Sequence, residues 1–159
     1  MNKPKLNMIV CVAENNLIGD KNPTGNGLLW HVPEELKLFK ELTIGDILIV
    51  GENTAKFMPI DKIRKNREVI VLKSGCDMNE IMSYCKSKNK IVWICGGCST
   101  YKYFLDNYEI DEIFVSRLQP HVEVAHASHP LYFPDIEAYG YKLYSISDAS
   151  EHFQLYIYK

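Results

Sequence analysis

The sequence has no long apolar run. None of its 159 residues lies in a stretch that approaches the roughly 20 apolar residues of a membrane-spanning helix. The first segment, MNKPKLNMIVCVAENN, has an apolar run of about six residues and no small-residue cleavage site after it. We interpret this segment as a buried strand, not a signal peptide. We therefore expect a cytoplasmic protein with no membrane partner.

The sequence also has no excess of positive charge. There are 18 Lys and Arg against 20 Asp and Glu, which gives a formal net charge of −2, and the basic residues are scattered. This distribution does not favour a nucleic-acid partner. With 47% hydrophobic and 24% charged residues, the composition is that of a globular protein with a sizeable core. The length predicts one domain over residues 1–159.

Cysteine is odd in number, at five residues, and no export signal accompanies it, so we expect reduced thiols. Two of these residues stand in Cys95-Gly-Gly-Cys98, between the apolar run KIVWI and a helical segment. A strand, Cys-x-x-Cys and a helix are typical of a dithiol redox site. A strand, paired glycines and a helix are also typical of a phosphate-binding turn. The motif alone leaves both interpretations open.

Short apolar runs such as ILIV and VIVL alternate with helical segments, which predicts a parallel sheet with crossover helices. The predicted strands are 5–13, 47–50, 68–72, 91–94 and 111–118, and the predicted helices are 33–42, 54–58, 78–88 and 99–107. Two Tyr-rich runs around DASE predict an antiparallel hairpin at the C-terminal end. The predicted fold class is α/β, with a mixed, mostly parallel sheet that binds ligands at the carboxyl ends of its strands.

The predicted helix 33–42 carries an unusual acid. At 100° per residue, Glu35 falls on the same face as Leu38, Phe39 and Leu42, in the i, i+3, i+4, i+7 spacing of a buried stripe. Glu35 either caps the start of the helix or reaches water. Alternatively it is a functional acid in an apolar pocket, where desolvation raises its pKa.

One segment resembles the signature of the dihydrofolate reductase family: Trp30-His-Val-Pro33-Glu-Glu35-Leu36-Lys-Leu-Phe39-Lys40. Further segments match the family in the same order along the chain. They are Ile18-Gly19 with the loop DKNPTGNGLL, Ile49-Val-Gly51-Glu-Asn-Thr54, Arg67 ahead of VIVLKS, Ile94-Cys-Gly96-Gly97 ahead of Tyr101, and Phe133-Pro134-Asp135. The resemblance spans most of the chain, and it implies an eight-stranded sheet flanked by helices and closed by the C-terminal hairpin.

The resemblance implies reduction of 7,8-dihydrofolate to 5,6,7,8-tetrahydrofolate by hydride transfer from NADPH, which serves one-carbon metabolism and thymidylate synthesis. It implies Glu35, Trp30 and Ser116 as catalytic residues: the acid pairs with the pterin, Trp30 holds a water, and Ser116 bonds the Glu35 carboxylate. Antifolates such as methotrexate or trimethoprim would bind the same site. We expect a monomer and no metal.

The resemblance also implies two sets of binding residues. The substrate set is Ile9, Val10, Glu35, Leu36, Phe39, Lys40, Arg67, Cys95 and Ser116. The cofactor set is Cys11, Ile18, Gly19, Gly51, Asn53, Thr54, Leu72, Lys73, Ser74, Gly96, Gly97, Cys98, Ser99, Thr100 and Tyr101. In the family the glycine pair is joined by a cis peptide bond. Under this interpretation Cys95 and Cys98 are neighbours by accident, with a disulfide as the alternative, and Arg67 is either a substrate ligand or an ordinary surface arginine.

Three features depart from the family pattern. Glu52 stands where members commonly have a basic residue that meets the 2′-phosphate of NADPH, so we expect some tolerance of NADH unless Lys56, Lys73 and Ser74 compensate. The loop between Gly19 and Trp30 is long and carries two glycines, which favours a mobile lid. No acid stands shortly before Phe-Pro, so coupling of that region to the lid should differ.

Other interpretations stay open from the sequence. His121, His126 and His129 have the spacing of a weak metal motif, although a solvated loop explains them as well. The rival functions are another reductase of the same fold, such as a riboflavin-pathway reductase that lacks the buried acid, a binding protein without catalysis, and a thiol oxidoreductase centred on Cys95 and Cys98.

Overall fold

The structure, a computed structural model, describes residues 3–159 as alternating strands and helices. The strands are β1 (Leu6–Val12), β2 (Leu17–Asp20), β3 (Ile47–Gly51), β4 (Glu68–Leu72), β5 (Val92–Ile94), β6 (Glu112–Leu118), β7 (Pro130–Tyr132), β8 (Leu143–Ser147) and β9 (Phe153–Tyr158). The helices are α1 (Pro33–Thr43), α2 (Glu52–Ala55), α3 (Ile60–Ile63), α4 (Met78–Lys88) and α5 (Cys98–Asn107). Short 3-10 turns cover Glu14–Asn16 and Ile136–Tyr139.

Seven strands form the main sheet in the order β4-β3-β5-β1-β6-β9-β8. The pairs from β4 through β6 are parallel, whereas β6–β9 and β8–β9 are antiparallel. The predicted α/β class, the mixed and mostly parallel sheet, the flanking helices and the C-terminal hairpin are therefore confirmed. The main sheet has seven strands where eight were expected.

Both faces of the sheet are buried. Successive residues of a strand point to opposite faces, so each face contributes to its own apolar cluster. On one face Met8 and Val10 of β1 belong to a cluster that includes Phe104 of α5. On the other face Ile9 belongs to a second cluster, against which Leu42 of α1 packs. The helices thus cover the continuous apolar runs that predicted the parallel strands.

The two remaining strands, β2 and β7, form a small antiparallel sheet of their own. The sequence did not predict either strand. β2 is four half-buried residues, LIGD, with no alternation of apolar and polar side chains. Its partner β7 is three residues long and lies far along the chain, so no local pattern could indicate the pairing.

The helix predicted over 54–58 has the wrong bounds. The chain forms α2 directly after β3 and then α3 from Ile60, with Pro59 between them. Proline has no backbone N–H to continue a helix, and it disfavours helical geometry in the residue before it. The interruption matters because the segment between α2 and α3 forms one wall of the cleft described below.

Within residues 3–159, no helix combines the length and the apolar character needed to cross a membrane. All five cysteines are free thiols in the structure, as the sequence predicted. Cys95 and Cys98 are therefore not joined by a disulfide.

Candidate active site

A cleft of ≈ 1480 Å³ opens where β1, β3 and β5 end, the edge at which open α/β sheets bind ligands. Every site residue predicted from the sequence lines this cleft except Lys73 and Ser116. We distinguish two parts of the cleft by the groups that build them. The acid arm consists of Ile9, Cys11, Glu35, Leu36, Phe39 and Arg67, and the glycine arm consists of Gly51, Thr54, Gly96, Gly97, Ser99 and Thr100.

Glu35 stands in the first turn of α1, two residues after Pro33, which occupies a position that suits proline at a helix start. Its backbone N–H donates to the Val32 carbonyl at 3.0 Å. Burial raises the pKa of Glu35 to about 7, and a hydrogen bond to the Cys11 thiol opposes that rise more weakly. Such a carboxyl is close to half protonated at neutral pH, so it can both accept and donate a proton.

Cys11 is the group that contacts the acid. Its half-buried thiol lies beside both Glu35 and Trp30. Burial first, and then the nearby Glu35 carboxyl, raise the pKa of the Cys11 thiol well above its usual value. The thiol therefore keeps its proton. Cys11 was predicted as a cofactor residue, and no sequence pattern indicated its contact with Glu35, because the contact joins a strand to a helix.

The predicted role of Ser116 beside Glu35 stays a prediction. Ser116 does not line the cleft. Ser116 is buried on β6 and lies opposite Cys11 of β1 in the parallel register. It is therefore one strand further from the centre of the cleft, and Cys11 occupies the place beside the carboxyl.

Arg67 precedes β4 and is held in a fixed orientation. Its Nε donates to Asn66 Oδ1 at 2.9 Å, and its Nη1 donates to Thr43 Oγ1 at 3.1 Å. The guanidinium lies over the Phe39 ring, with 5.7 Å between Cζ and the ring centroid. The residue is only 8% exposed, and burial lowers the pKa of Arg67, yet an arginine stays charged. The hypothesis of an ordinary surface arginine is therefore wrong.

The cleft has apolar walls on both sides. Leu36 of α1 is 47% exposed and Phe57, in the connection between α2 and α3, is 39% exposed, although both are large and hydrophobic. Met58 of the same connection lines the cleft as well. Apolar side chains that face a cavity are suited to a ring-bearing ligand. The sequence indicated Leu36 but not Phe57 or Met58, for which the apolar run FMPI was the only signal.

The glycine arm is built by two turns that touch each other. The Gly51 N–H, at the end of β3, donates to the Gly96 carbonyl, after β5, at 2.8 Å. A Cβ atom on Gly51 would lie 2.6 Å from Thr100 Oγ1, and one on Gly97 would lie 2.6 Å from Thr54 Oγ1. Only glycine fits at these two positions without displacing the threonines. Gly96 and Gly97 are joined by a cis peptide bond, as the resemblance implied.

Helix α5 begins at Cys98, directly after the glycine pair. The first N–H groups of a ten-residue helix therefore point toward the cleft, which suits an anionic group such as a phosphate. Burial raises the pKa of the Cys95 thiol far above its usual value, whereas a reactive dithiol needs a lowered pKa. The arrangement thus favours the phosphate interpretation of Cys95-Gly-Gly-Cys98 over the redox one.

Tyr101 of α5 connects the two arms. Its hydroxyl donates to the Ile9 carbonyl of β1 at 2.7 Å, and its ring packs edge-on against Phe133 at 5.1 Å between centroids. Burial raises the pKa of Tyr101 well above its usual value, so the hydroxyl remains a donor. This bond fixes α5 relative to the strand that carries Cys11.

The segment between β2 and α1 runs along the cleft and lines it at several points. It approaches the opposite wall at Gly27, which has a φ of +80° and where a Cβ would lie 2.9 Å from Phe57 Cβ. A side chain here would be strained by the backbone and would also press on Phe57. The segment therefore lies across the cleft between its two walls. We call residues 21–32 the lid segment.

The start of the lid segment is tied down by Asp20 at the end of β2. The Asp20 carboxylate accepts from the Ser128 N–H at 2.9 Å, the Ser128 hydroxyl at 3.2 Å and the His129 N–H at 3.3 Å. It also accepts from the Asn22 N–H at 2.9 Å. The Asn22 bond first, then those from Ser128 and His129, lower the pKa of Asp20. Asp20 thus joins the start of the lid segment to residues 128 and 129 ahead of β7.

Glu52 lines the cleft at the start of α2, beside Asn53 and Thr54. Lys56 also lines the cleft, and its ammonium group lies 3.4 Å from Asn53 Oδ1. Lys73, the other lysine expected to compensate for Glu52, is exposed and does not line the cleft. Of the two predicted lysines, only Lys56 is therefore placed to offset the charge of Glu52.

The histidines expected in a loop are not gathered into one group. His121 contacts His152 at 3.1 Å, and His129 lies 3.1 Å from both Asn22 Nδ2 and Ser128 Oγ. Among the described residues 3–159, no group of three or more His, Cys, Asp and Glu side chains is arranged to hold a metal ion.

The sheet, the cleft at its strand ends, the buried acid and the glycine turn define an α/β protein whose cleft has an acidic part and a part suited to an anionic ligand. The model of the dihydrofolate reductase family matches residues 5–157. The chain therefore belongs to the dihydrofolate reductase family, and the resemblance noted in the sequence is confirmed.

Individual relatives are distant. A dihydrofolate reductase of Neisseria meningitidis is 26% identical over 107 residues, which cover 61% of this chain and 63% of the length of that relative. The dihydrofolate reductase type 6 of Proteus mirabilis is 26% identical over 143 residues, which cover 83% of each chain. A structure of the Enterococcus faecalis dihydrofolate reductase complexed with NADP(H) and RAB-propyl matches with a TM-score of 0.72 and 23% identity, covering 98% of this chain and 97% of that one. This last likeness shows the fold.

Proposed function

We propose that this protein reduces 7,8-dihydrofolate to 5,6,7,8-tetrahydrofolate with NADPH, and so serves one-carbon metabolism and thymidylate synthesis. The observation that carries the proposal is the Glu35 carboxyl, with a pKa of about 7, in a cleft whose other part is built from glycines. The reaction adds a hydride to C6 and a proton to N5 of the substrate. The C=N bond is reduced while the nicotinamide is oxidised.

Glu35 positions the substrate and holds the proton. The 2-amino group and N3–H of a pterin form a donor edge, which one carboxylate can bind through two parallel hydrogen bonds. Fixing the ring in this way contributes much of the catalysis by orientation. The Cys11 thiol lies beside this carboxyl, and Trp30 lies beside the thiol, so the thiol limits the contact of the carboxyl with water.

The remaining groups of the acid arm suit the rest of a folate. Leu36, Phe57 and Ile9 line an apolar space that matches the ring systems. The Nε and Nη1 atoms of Arg67 donate hydrogen bonds to other residues of the protein. Its Nη2 atom is left to bind a carboxylate of the substrate's glutamate.

The glycine arm fits a nicotinamide dinucleotide, which when bound would supply the hydride. The fit rests on the turn itself, because Cβ atoms on Gly51 or Gly97 would press on Thr100 and Thr54. The bare backbone and the start of α5 leave N–H groups available for a pyrophosphate. Thr54 and Ser99 also line the cleft.

NADPH is the proposed cofactor, with weaker discrimination against NADH than is usual in the family. Glu52 would repel a 2′-phosphate, and Lys56 would offset that repulsion in part. The measurement is kcat/KM with each cofactor, in the wild type and in Glu52→Gln. We expect Glu52→Gln to raise the preference for NADPH by roughly 10-fold. A wild-type preference of about 100-fold or more, on the order of 2.7 kcal/mol, would show that Glu52 points away from the phosphate.

The proposal extends to the other expected properties. Residues 1–159 act as one domain, the protein is a cytoplasmic monomer, and antifolates such as methotrexate or trimethoprim compete with dihydrofolate in the acid arm.

The deciding experiment is oxidation of NADPH that depends on added dihydrofolate. We expect the protein to oxidise NADPH when dihydrofolate is added, and we expect methotrexate to abolish this reaction. Thiol-directed oxidants should not replace dihydrofolate as the substrate. A riboflavin-pathway reductase would use a pyrimidinone substrate instead, a binding protein would bind NADPH without turnover, and a thiol oxidoreductase would act on disulfides. Any of these three results, with no dihydrofolate reduction, would overturn the proposal.

A further inference from the structure

The peptide bond between Asn26 and Gly27 of the lid segment differs from every other bond of the chain. It is the only place in the sequence where glycine follows asparagine. Asn26 is exposed and lines the main cleft, and Gly27 has a φ of +80°, which suits glycine. An amide side chain therefore stands next to a backbone nitrogen whose own residue has no Cβ, at the surface of the lid segment.

The side chain of Asn26 is folded back over the peptide bonds that follow it. Its Oδ1 accepts from the Leu28 N–H at 3.0 Å, which is the geometry of an Asx turn. This bond keeps the side-chain carbonyl beside the backbone of Gly27. The same N–H stabilises the negative charge that develops on Oδ1 when a nucleophile adds to Cγ. The Gly27 nitrogen is the nearest such nucleophile along the chain, and no Cβ obstructs its approach.

One contact opposes this reaction. The Gly27 N–H donates to the Thr24 carbonyl at 2.9 Å, and this bond must open before the nitrogen can attack. Thr24, Gly25 and Asn26 are all exposed, and an exposed turn opens locally at a small cost in free energy. We therefore expect the folded protein to react at the same residue as a short peptide of this sequence, but more slowly.

We propose that Asn26 is a site of spontaneous deamidation, with water as the only co-reactant. The Gly27 nitrogen forms a bond to Asn26 Cγ, the Cγ–Nδ2 bond breaks, and Nδ2 leaves as ammonia with the proton from Gly27. Water then opens the five-membered imide at one of its two carbonyl carbons. The product at position 26 is aspartate, or isoaspartate, in which the main chain passes through the former side chain.

The modification changes both the charge and the shape of the lid segment. Either product adds one negative charge to a residue that lines the cleft, and dihydrofolate and NADPH are both anions, so their binding should weaken. Isoaspartate also adds one carbon atom to the backbone just before Gly27, which lies against Phe57 of the opposite wall. The effect on binding rests on the proposed function, whereas the modification itself does not.

The chain contains its own controls. Asn89 is exposed and has a φ of 54°, but it precedes Lys90, so it shows whether exposure without glycine is sufficient. Asn22 belongs to the same lid segment and precedes Pro23, whose nitrogen has no proton to release. Incubation of the whole protein at pH 8, followed by peptide mass spectrometry, compares all three asparagines in one sample. We expect loss of the amide at Asn26 at least roughly 10-fold faster than at Asn89, and none at Asn22.

Two variants connect the modification to binding. Asn26→Asp carries the charge of the product and should raise the Kd of NADPH by about two- to five-fold, with the difference reduced at high salt. Asn26→Gln keeps an amide that would have to close a larger ring, so it should resist conversion and keep the Kd of the fresh wild type through the same incubation.

The inference is overturned if the folded protein keeps its amide at Asn26 while a peptide of residues 22–30 loses it, or if Asn89 reacts as fast as Asn26. Equal Kd values for Asn26→Asp and the wild type would overturn the effect on binding. Failure of the fresh wild type to bind NADPH at all would instead overturn the proposed function, because the mass spectra report the modification without any ligand.

Discussion

The two arms of the cleft are built by opposite means. The acid arm depends on what particular side chains carry: a carboxyl, a thiol and a guanidinium, each held by named neighbours. The glycine arm depends on side chains that are missing, because its two turns approach so closely that a single Cβ would displace Thr54 or Thr100.

This difference predicts how each arm fails. Changing a charge in the acid arm should alter chemistry and ligand affinity while the fold persists. Adding a methyl group to the glycine arm should alter packing first, and ligand binding as a consequence. Glu35→Gln, Gly97→Ala and Arg67→Lys each test one side of that contrast, and Asp20→Asn tests the lid segment.

Glu35→Gln should have the largest effect on turnover. Gln keeps the shape of the side chain but cannot exchange a proton near neutral pH, so kcat should fall by roughly 10²–10⁴-fold. In the wild type, kcat should decline as pH rises through about 7, where Glu35 loses its proton. Pre-steady-state hydride transfer measured from pH 5 to 9 checks both expectations. An unchanged kcat in the Gln variant at neutral pH would remove Glu35 from the reaction.

Glu35→Gln should also change how the free energy of unfolding depends on pH, and the direction of that change can be predicted. The folded-state pKa of Glu35 is raised from 4.5 to about 7, so the folded protein binds more protons than the unfolded chain between these values. The wild type should therefore lose stability as pH rises from about 4.5 to 7, and that slope should be shallower in Glu35→Gln. Urea unfolding at pH 5 and pH 8 measures the difference.

Gly97→Ala should be the most damaging change in the glycine arm. The new Cβ would lie 2.6 Å from Thr54 Oγ1, and overpacking of this kind costs about 1–3 kcal/mol. Thermal unfolding should show the loss, and NADPH affinity should fall with it. The double variant Gly97→Ala, Thr54→Ala removes the clashing hydroxyl, so it should recover stability. If the second substitution recovers nothing, Thr54 is not what makes glycine necessary at this position.

Arg67→Lys should raise the KM for dihydrofolate by roughly 10-fold with a smaller change in kcat. Lysine retains the charge but cannot bond Asn66 and Thr43 through a planar fork while facing a ligand. Arg64→Lys is the matched control, since Arg64 does not line the main cleft. Equal KM changes in the two variants would show that the geometry of Arg67 is not what the substrate requires.

Asp20→Asn should have the smallest effect. It removes the charge that accepts four hydrogen bonds at the entry to the lid segment, but its partners are exposed. We expect the dissociation rate of NADPH to rise by about two- to five-fold, with little change in the rate of hydride transfer itself. Stopped-flow displacement of the cofactor checks the first and single-turnover kinetics the second; a large fall in hydride transfer would mean that Asp20 shapes the acid arm.

Local sequence patterns predicted the features of this molecule that depend on residues close together in the chain. The apolar stripe of α1 identified Glu35 as misplaced among hydrophobic residues, and alternating runs identified the parallel sheet. The contact between Glu35 and Cys11 was missed because it joins α1 to β1, and the β2–β7 pair was missed because its strands are short and distant in sequence. The role of Ser116 beside Glu35 comes from the family resemblance alone, and it stays a prediction.

The lid segment lies close to Glu35. Trp30 belongs to the lid segment and lies beside Cys11, as Glu35 does, and only two residues separate Trp30 from Pro33 at the start of α1. Moving that segment away would let water reach the carboxyl, and a hydrated carboxyl holds its proton less tightly. If the lid segment opened, the carboxyl would therefore lose its proton more readily, and an acidic medium would favour the closed form.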